Sequence, residues 1–304
     1  MLFKSHSARA ASVFALCFVL AACGSSSGDG LAALTSSNAQ LAAGDVTGTV
    51  DFLGSIESMV EDYDGMIEQQ SELNLDQICT SGSYTVTIQD GGTLGVTDTG
   101  DSFRIDFDNC TIQEEGDDPF TMNGAMMFTA EDVTGSLEGA FTRRMRVDFI
   151  ALSVDAGFVS MLLNGDVTHD LSSTDGVALT SVISGSRLSA FAQVAVIGWS
   201  GTLSNYTLTR EYNLETEDYS VMIDATYDSS RLGGAVSYET TVAFTGTGEG
   251  APSAGTMIVT GAEDATITLL VLDDENVQLL LDVDGDGDTD ATIDTDWDTI
   301  NNED

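Results

Sequence analysis

The residues with the clearest chemical potential are aspartates near the C-terminus. They alternate along one short stretch: Asp282, Asp284, Asp286, Asp288 and Asp290. Hard cations such as Ca²⁺ take six to eight oxygen ligands, and Gly287 at the sixth position permits the turn that brings such ligands together. Carboxylates this close repel one another unless a cation offsets their charge. We therefore predict a calcium site formed by these five residues. The alternative is a solvated acidic turn that holds no metal.

The same stretch resembles two known calcium loops. Its first nine residues are similar to an EF-hand loop, but position twelve is Ile293 rather than a bidentate Glu, and the flanking residues look like strands. It is more similar to the Asp-x-Asp-x-Asp-Gly-x-x-Asp hairpin loops of integrin α-chain propellers, in which the last Asp replaces the missing Glu. That resemblance implies a backbone carbonyl from Asp288 and side-chain oxygens from the others: Asp282, Asp284, Asp286 and Asp290.

Groups typical of catalysis are scarce. His6 lies in the N-terminal segment, so His169 is the only other histidine, and we predict an exposed turn at Thr168-His169-Asp170. The sequence has no Gly-x-Ser-x-Gly elbow, no paired histidines for a zinc hydrolase and no Gly-rich phosphate loop ending in Lys. We therefore expect no enzymatic activity. A glycan-acting hydrolase needs only two carboxylates and is the less favoured alternative.

The cysteines and arginines give two structural predictions. Cys79 and Cys110 form an even pair that we predict to be a disulfide, which in an exported chain closes a loop of about thirty residues and contributes roughly 3.5 to 4 kcal/mol. A reduced pair or a metal dithiolate is the alternative. The basic cluster Arg143-Arg144-Met145-Arg146 is expected to pair with acids across strands, and a docking point for an anionic partner is its alternative.

The N-terminal segment has the features of an export and targeting signal. Lys4 and Arg9 precede the apolar stretch 10–20, which is too short to span a bilayer and typical of a signal peptide. Leu20-Ala21-Ala22-Cys23 followed by Gly24 resembles a bacterial lipobox. The resemblance implies that residues 1–22 are removed and that Cys23 carries diacylglycerol and palmitate-type chains. Because Gly24 is not Asp, it also implies the outer membrane. An ordinary secretory signal is the alternative.

The rest of the chain is predicted to be one domain behind a tether. Residues 23–44 are rich in Ser, Gly, Ala and Asn and are expected to be a flexible tether. Three-and-four spacing of apolar residues predicts an amphipathic helix over about 50–73. Alternating apolar residues separated by Asp-Gly, Gly-Gly, Asn-Gly and Ser-Gly pairs predict turns and about a dozen strands over about 82–300. We expect a mainly β domain, 45–304, with an antiparallel meander curved or closed into a barrel and the helix packed on it.

The composition excludes several classes of function. The chain has 304 residues with 50 acidic against 9 basic side chains, a net charge of −41. Such an excess disfavours nucleic-acid binding and docking of the folded body on anionic lipid. Aromatic residues make up 7%, and a transmembrane barrel would need aromatic girdles. An Asp-rich surface of this kind fits a salty or marine habitat. Stability of the protein that is equal in low and high salt would argue against that hypothesis.

The C-terminal fifty residues also resemble a group of uncharacterised proteobacterial lipoproteins. The residues that carry this likeness are Pro252-Ser253-Ala254-Gly255, Ile258-Val259-Thr260-Gly261-Ala262, the acidic loop and Asp296-Trp297. The resemblance brings no activity with it. We expect a non-catalytic, lipid-anchored envelope protein with a structural calcium ion, in a structural or interaction role. The alternative is a carrier that holds a lipid or another hydrophobic ligand in a curved barrel.

Overall fold

A computed structural model describes most of the chain after the N-terminal segment. The described residues are 30–68, 79–92, 97–113, 119–136, 139–157, 159–194, 197–248 and 250–301, with the backbone alone for 61–68, 194 and 197. The predicted signal peptide and Cys23 therefore lie outside the described residues. Among the helices that are described, none has the apolar length needed to cross a bilayer.

Helix α1 (Ala39–Glu68) begins eleven residues earlier than the apolar spacing predicts. Its buried side chains follow three-and-four spacing, as a helix that packs on one face requires. Small residues contact the rest of the protein first and larger ones follow: Ala39, Ala42, Ala43, Val46, Leu53, Ile56 and Val60. The prediction of a helix was correct, but the expected tether is wrong for residues 30–44. Ala32 and Leu34 are buried as well, because that segment lies against the sheet.

The strands form one antiparallel meander in which every strand pairs with its neighbours in sequence, and the sheet is not closed. This confirms the mainly β prediction and selects an open sheet over a barrel. The described residues form thirteen strands, which are β1 (Ser81–Gln89), β2 (Ser102–Ile112), β3 (Phe120–Gly135), β4 (Phe141–Ala156), β5 (Val159–Ser173), β6 (Ala178–Val194), β7 (Ile197–Asn213), β8 (Asp218–Ser229), β9 (Gly234–Thr247), β10 (Ala254–Thr260), β11 (Thr266–Val271), β12 (Asn276–Asp282) and β13 (Ala291–Asp296).

One face of this sheet, here called the core face, packs with α1. Alternate residues along the strands place apolar side chains on it, and many are completely buried, including Val147, Val167, Leu208 and Leu279. The opposite, outer face carries mostly Thr, Ser and acidic residues. The period-two pattern arises because just one face of the sheet is buried. A strand with both faces covered would be apolar throughout.

A line of β-bulges crosses the sheet from β1 to β10. In most neighbouring strand pairs along this line, the register shifts at adjacent positions on the two strands. A bulge bends its strand and increases the local twist, so the line introduces a crease into the sheet. Residues with left-handed backbone conformation mark it, among them Asn109 (φ 49°), Ala151 (φ 46°) and Asn205 (φ 48°).

Two Asn-Gly pairs belong to this crease and not to turns. The sequence predicted turns at such pairs, and this is wrong for Asn123-Gly124 and Asn164-Gly165, which lie inside β3 and β5. Each Asn side chain accepts a hydrogen bond from a bulged backbone N–H on the neighbouring strand. Asn123 Oδ1 accepts from Asn109 at 2.8 Å, and Asn164 Oδ1 accepts from Ala151 at 2.7 Å. The following glycine has positive φ, which only glycine adopts at little cost.

The C-terminus folds back on the start of α1. Helix α2 (Trp297–Asn301) follows β13 directly and buries Trp297 and Ile300. The carbonyl oxygen of Ile300 lies so close to α1 that a Cβ added to Gly44 would be 2.6 Å away. The Trp297 ring packs edge-on against Phe244, with 6.4 Å between ring centroids. Helix α2 therefore connects the end of β13 to α1 and, through Trp297, to β9.

Two glycines of α1 should respond in opposite ways to substitution by alanine. At Gly48 an added Cβ meets no atom within 4 Å, so Gly48→Ala should stabilise the protein by about 0.5–1 kcal/mol through helix propensity. Gly44→Ala should destabilise it by about 1–3 kcal/mol, because the new methyl group collides with the Ile300 backbone. Urea unfolding of both variants measures this, and equal shifts in the two would contradict the packing of α2 on α1.

Candidate metal centre

The predicted calcium loop connects the last two strands. Asp282 ends β12 and Ala291 begins β13, so residues 283–290 form the loop of a β-hairpin. The Asp290 N–H donates to the Leu281 carbonyl at 2.7 Å and closes the base of the loop. Strands on both sides confirm the hairpin context that the sequence predicts, in contrast to the two helices that flank an EF-hand loop.

Three of the five predicted aspartates converge. Asp282, Asp284 and Asp290 each offer one carboxylate oxygen, and these oxygens all lie within 4.8 Å of one another. Asp282 is partly buried, and the other two are exposed. This cluster, here called the Asp triad, could hold a metal ion. Its ligand atoms are all oxygens, which suits hard divalent cations.

Backbone N–H groups hold the triad carboxylates in place. Asp282 Oδ1 accepts from Gly285 N and Asp282 Oδ2 from Gly287 N, both at 2.8 Å. Asp290 Oδ2 accepts from Val283 N at 2.8 Å. Such charge-assisted bonds fix a carboxylate more firmly than a neutral bond does. These hydrogen bonds therefore fix the orientation of the carboxylates within the loop.

Asp286 and Asp288 are not part of the triad. Asp286 Oδ1 accepts from the Asp288 N–H at 2.9 Å, and both side chains are exposed. The structure thus brings together three of the four predicted side-chain ligands, and Asp286 lies apart. Asp288 was expected to contribute only its backbone carbonyl.

A second acidic turn lies against the loop. Gly285 has φ 70°, and a Cβ at this position would be 2.5 Å from the Glu263 carbonyl oxygen. Glu263 and Asp264, in the turn between β10 and β11, also have positive φ, at 58° and 60°. Sequence reasoning missed this neighbour, because the two turns are twenty residues apart and only the sheet register brings them together. It adds two carboxylates to the negative surroundings of the triad.

The disulfide prediction is confirmed. Cys79 and Cys110 are bonded, with 5.1 Å between their Cα atoms. Cys110 is completely buried in β2, whereas Cys79 lies two residues before the start of β1. The bond therefore fastens the first strand of the sheet, which pairs on one side only with β2.

His169 is buried, and the predicted exposed turn is wrong. It lies in the middle of β5 on the core face, where it is 2% exposed. Its Nε2 atom is 3.0 Å from Ser181 Oγ on β6 and 3.8 Å from Glu57 Oε1 on α1. The sequence misled because Thr and Asp flank the histidine, and in a strand these neighbours point to the outer face.

Serine, histidine and glutamate therefore meet, but not in the geometry of a catalytic triad. In that arrangement the acid orients one ring nitrogen while the other contacts the hydroxyl. Here Ser181 and Glu57 approach the same nitrogen, and Ser181 is only 5% exposed. Glu57 Oε2 also accepts a hydrogen bond from Arg210 Nη1 at 2.9 Å. The four residues form a polar cluster between α1 and the sheet, in which His169 and Ser181 are buried and the Arg210 side chain is 31% exposed.

A second buried cluster holds the first half of α1. Asp45 accepts hydrogen bonds from Ser229 Oγ at 2.7 Å and from Arg231 Nη1 at 2.8 Å. Burial raises the pKa of Asp45, and Arg231 and Ser229 partly offset this by stabilising the charged form. One turn later, Thr49 Oγ1 is hydrogen-bonded to the hydroxyl of Tyr238.

Two arginines of the basic cluster pair with acids, as predicted. Arg144 reaches Asp170 on the neighbouring strand, with 2.6 Å between Nε and Oδ1. Arg146 contacts Asp148 on its own strand at 2.9 Å and Asp166 across the ladder at 3.6 Å. These pairs lie on the outer face and are partly exposed, so each contributes little to stability.

Comparison of the chain with models of known protein families, with curated proteins and with solved structures finds no match. Function is therefore inferred from the residues of the chain itself.

Proposed function

We propose that this protein is a non-catalytic lipoprotein of the bacterial cell envelope whose β domain is stabilised by calcium, with a structural or interaction role. The observation that carries the proposal is the convergence of Asp282, Asp284 and Asp290 in the β12–β13 hairpin. Calcium suits this site because it accepts irregular oxygen coordination, whereas Mg²⁺ demands near-ideal octahedral geometry. Water completes the coordination that three carboxylates leave open.

The lipid anchor rests on the sequence around Cys23. The first described residues support a short connection to it, because the Gly30 carbonyl accepts from Ala235 N at 3.0 Å and the Ala32 N–H donates to the Ala235 carbonyl at 2.8 Å. Six residues therefore separate Cys23 from the sheet. Fully extended, they reach about 20 Å. An acylated Cys23 would hold the end of the sheet where β8 turns into β9 close to the membrane, and Gly24 favours the outer membrane.

The packed core favours a structural role over a carrier. A carrier of acyl chains needs an apolar cavity of several hundred Å³. Leu152, Val167 and Leu208 on the core face are 0% exposed, so protein atoms cover them. Co-purified lipid found by native mass spectrometry would favour the carrier instead. Hydrolysis of a glycan that is lost on substitution of a single carboxylate would favour the hydrolase.

The anchor is tested by expressing the full chain in a bacterial host. We expect the wild type in the membrane fraction, with a mass that shows acylation at Cys23, because a diacylglyceryl group supplies the binding energy. Cys23→Ser should be recovered in the soluble fraction. Cys17→Ser is the matched control and should remain anchored, since residue 17 leaves with the signal peptide. An unmodified Cys23 in the membrane fraction would refute the anchor.

A further inference from the structure

Two polar clusters attach α1 to the sheet at different heights. Asp45 and Thr49 attach its first half, and Glu57 attaches its second half. The second attachment, here called the latch, is formed by Glu57, His169, Ser181 and Arg210. We propose that the protonation state of His169 controls whether the latch is closed. When His169 takes up a proton, the second half of α1 leaves the sheet while the first half stays docked.

The latch has matched charges only while His169 is neutral. Glu57 and Arg210 form a pair with 2.9 Å between Oε2 and Nη1. The imidazole lies beside this pair and is 2% exposed, so water does not reach it freely. A proton on the ring adds a positive charge at a buried position, beside a carboxylate that is already paired with Arg210. An uncompensated buried charge is strongly destabilising.

Among the side chains that the structure describes, the acidic groups next to the ring already have partners. On α1, Glu57 is already paired with Arg210 of β7. On β5, Asp170 points to the outer face and is paired with Arg144 of β4. On β6, Ser181 contributes a neutral hydroxyl.

Two further charged groups, Arg143 and Asp51, lie near the latch. Arg143 of β4 is half-buried and lies two residues before Met145, which pairs with His169. Arg143 is therefore on the same face of the sheet as His169 and carries a positive charge there. Asp51 of α1 is exposed and acts electrostatically on Arg210. Arg210 therefore has a second acidic neighbour, and the burial of the ring sets the cost of protonating His169.

The direction of the pH effect follows from burial. Burial lowers the pKa of His169 below its usual 6.5, and the charges of Glu57 and Asp170 oppose this only in part. The unfolded or undocked chain then binds the proton more readily than the docked one. Docking is fully stable above about pH 6.5 and weakens as the pH falls from there through the docked pKa.

The first half of α1 should not share this response. Burial raises the pKa of Asp45, so acid relieves the cost of its buried charge and does not oppose docking. The first half is also held by α2 at Gly44. The second half depends on a close approach at Gly54, where an added Cβ would be 2.6 Å from Arg210 Nη2. The two halves thus differ in charge balance and in packing.

Amide hydrogen exchange at matched pH tests the latch. In the full chain, peptides that cover 53–60 should lose protection between pH 7.5 and pH 5, whereas those that cover 42–49 should keep it. His169→Gln keeps a hydrogen-bonding group near Ser181 but cannot take up a proton. At pH 5 this variant should exchange over 53–60 several-fold more slowly than the wild type, because it loses no docking free energy to protonation. Comparing both proteins at one pH removes the intrinsic pH dependence of exchange.

A second variant and a direct titration keep the proposal testable if His169→Gln does not fold. Glu57→Gln removes the carboxylate closest to the ring, so 53–60 should open at a higher pH than in the wild type. Nuclear magnetic resonance of the His169 ring should show a pKa below 6.5. The latch is refuted if His169 titrates at or above 6.5, or if both halves of α1 open together. Equal acid opening in the wild type and His169→Gln also refutes it.

Discussion

Removal of the Cys79–Cys110 disulfide should lower the free energy of unfolding by about 3.7 kcal/mol, because the bond closes a loop of 31 residues in the unfolded chain. The double variant Cys79→Ala and Cys110→Ala is the change to make, since alanine avoids placing a hydroxyl in the buried site of Cys110. The loss should be largest in β1, which pairs with β2 on one side only. Urea unfolding under oxidising conditions measures the effect.

A reductant provides the control for this experiment. The wild type with reductant should unfold at nearly the same urea concentration as the double variant, and the double variant should not respond to reductant. A loss of stability below about 1 kcal/mol in the variant would show that the hairpin β1–β2 already restricts the chain as much as the bond does.

Calcium should stabilise the folded chain, and substitution within the Asp triad should remove most of that effect. A ligand that binds only the folded state adds about 2.7 kcal/mol at a hundredfold excess over its Kd. Asp284→Asn is the most informative change, because the Asp284 side chain accepts only a long hydrogen bond of 3.3 Å within the loop and its removal leaves the loop backbone intact. Thermal unfolding with and without calcium gives the measurement.

The matched control lies in the neighbouring hairpin. Asp274→Asn removes one exposed carboxylate from the turn between β11 and β12 and should leave the calcium response unchanged. Without metal, Asp284→Asn should be slightly more stable than the wild type, since it reduces repulsion within the triad. A calcium response equal in Asp284→Asn and Asp274→Asn would show that calcium acts elsewhere on this acidic protein.

The features that sequence reasoning predicted correctly are local ones. The converging aspartates of the β12–β13 loop were found because the acidic residues lie within nine positions and their flanks alternate as strands do. The sheet topology follows from short connections between alternating segments, which favour antiparallel neighbours. The disulfide followed from the even number of cysteines that remain after the N-terminal segment. None of these predictions needed a contact between distant parts of the chain.

The start of α1 was missed because its packing uses small residues. Between Ala39 and Thr49 three of the six buried side chains are alanine, and Gly44 lets the Ile300 carbonyl approach closely. A segment rich in Ala, Gly and Ser has little hydrophobic periodicity and resembles a linker in composition. Only the position of α2, more than 250 residues away, explains why such residues are required there.

His169 and the Asn-Gly pairs show the same limit in the sheet. His169 is stabilised in the core by Ser181 on the next strand and by Glu57 on α1, and no local signal identifies those partners. The side chains of Asn123 and Asn164 accept hydrogen bonds from bulged N–H groups on adjacent strands, although Asn-Gly dipeptides form tight turns in many other proteins. In both cases cross-strand hydrogen bonds override the local preference of the sequence.

Isothermal titration of the metal-free protein with Ca²⁺ tests the central claim most directly. We predict saturable binding at one site, with a Kd at or below about 1 mM, as in extracellular calcium modules. Asp284→Asn should weaken it at least tenfold, whereas Asp286→Asn, which alters a residue outside the triad, should weaken it less. Absence of binding heat up to several millimolar calcium would contradict the claim that the β12–β13 hairpin is a calcium site.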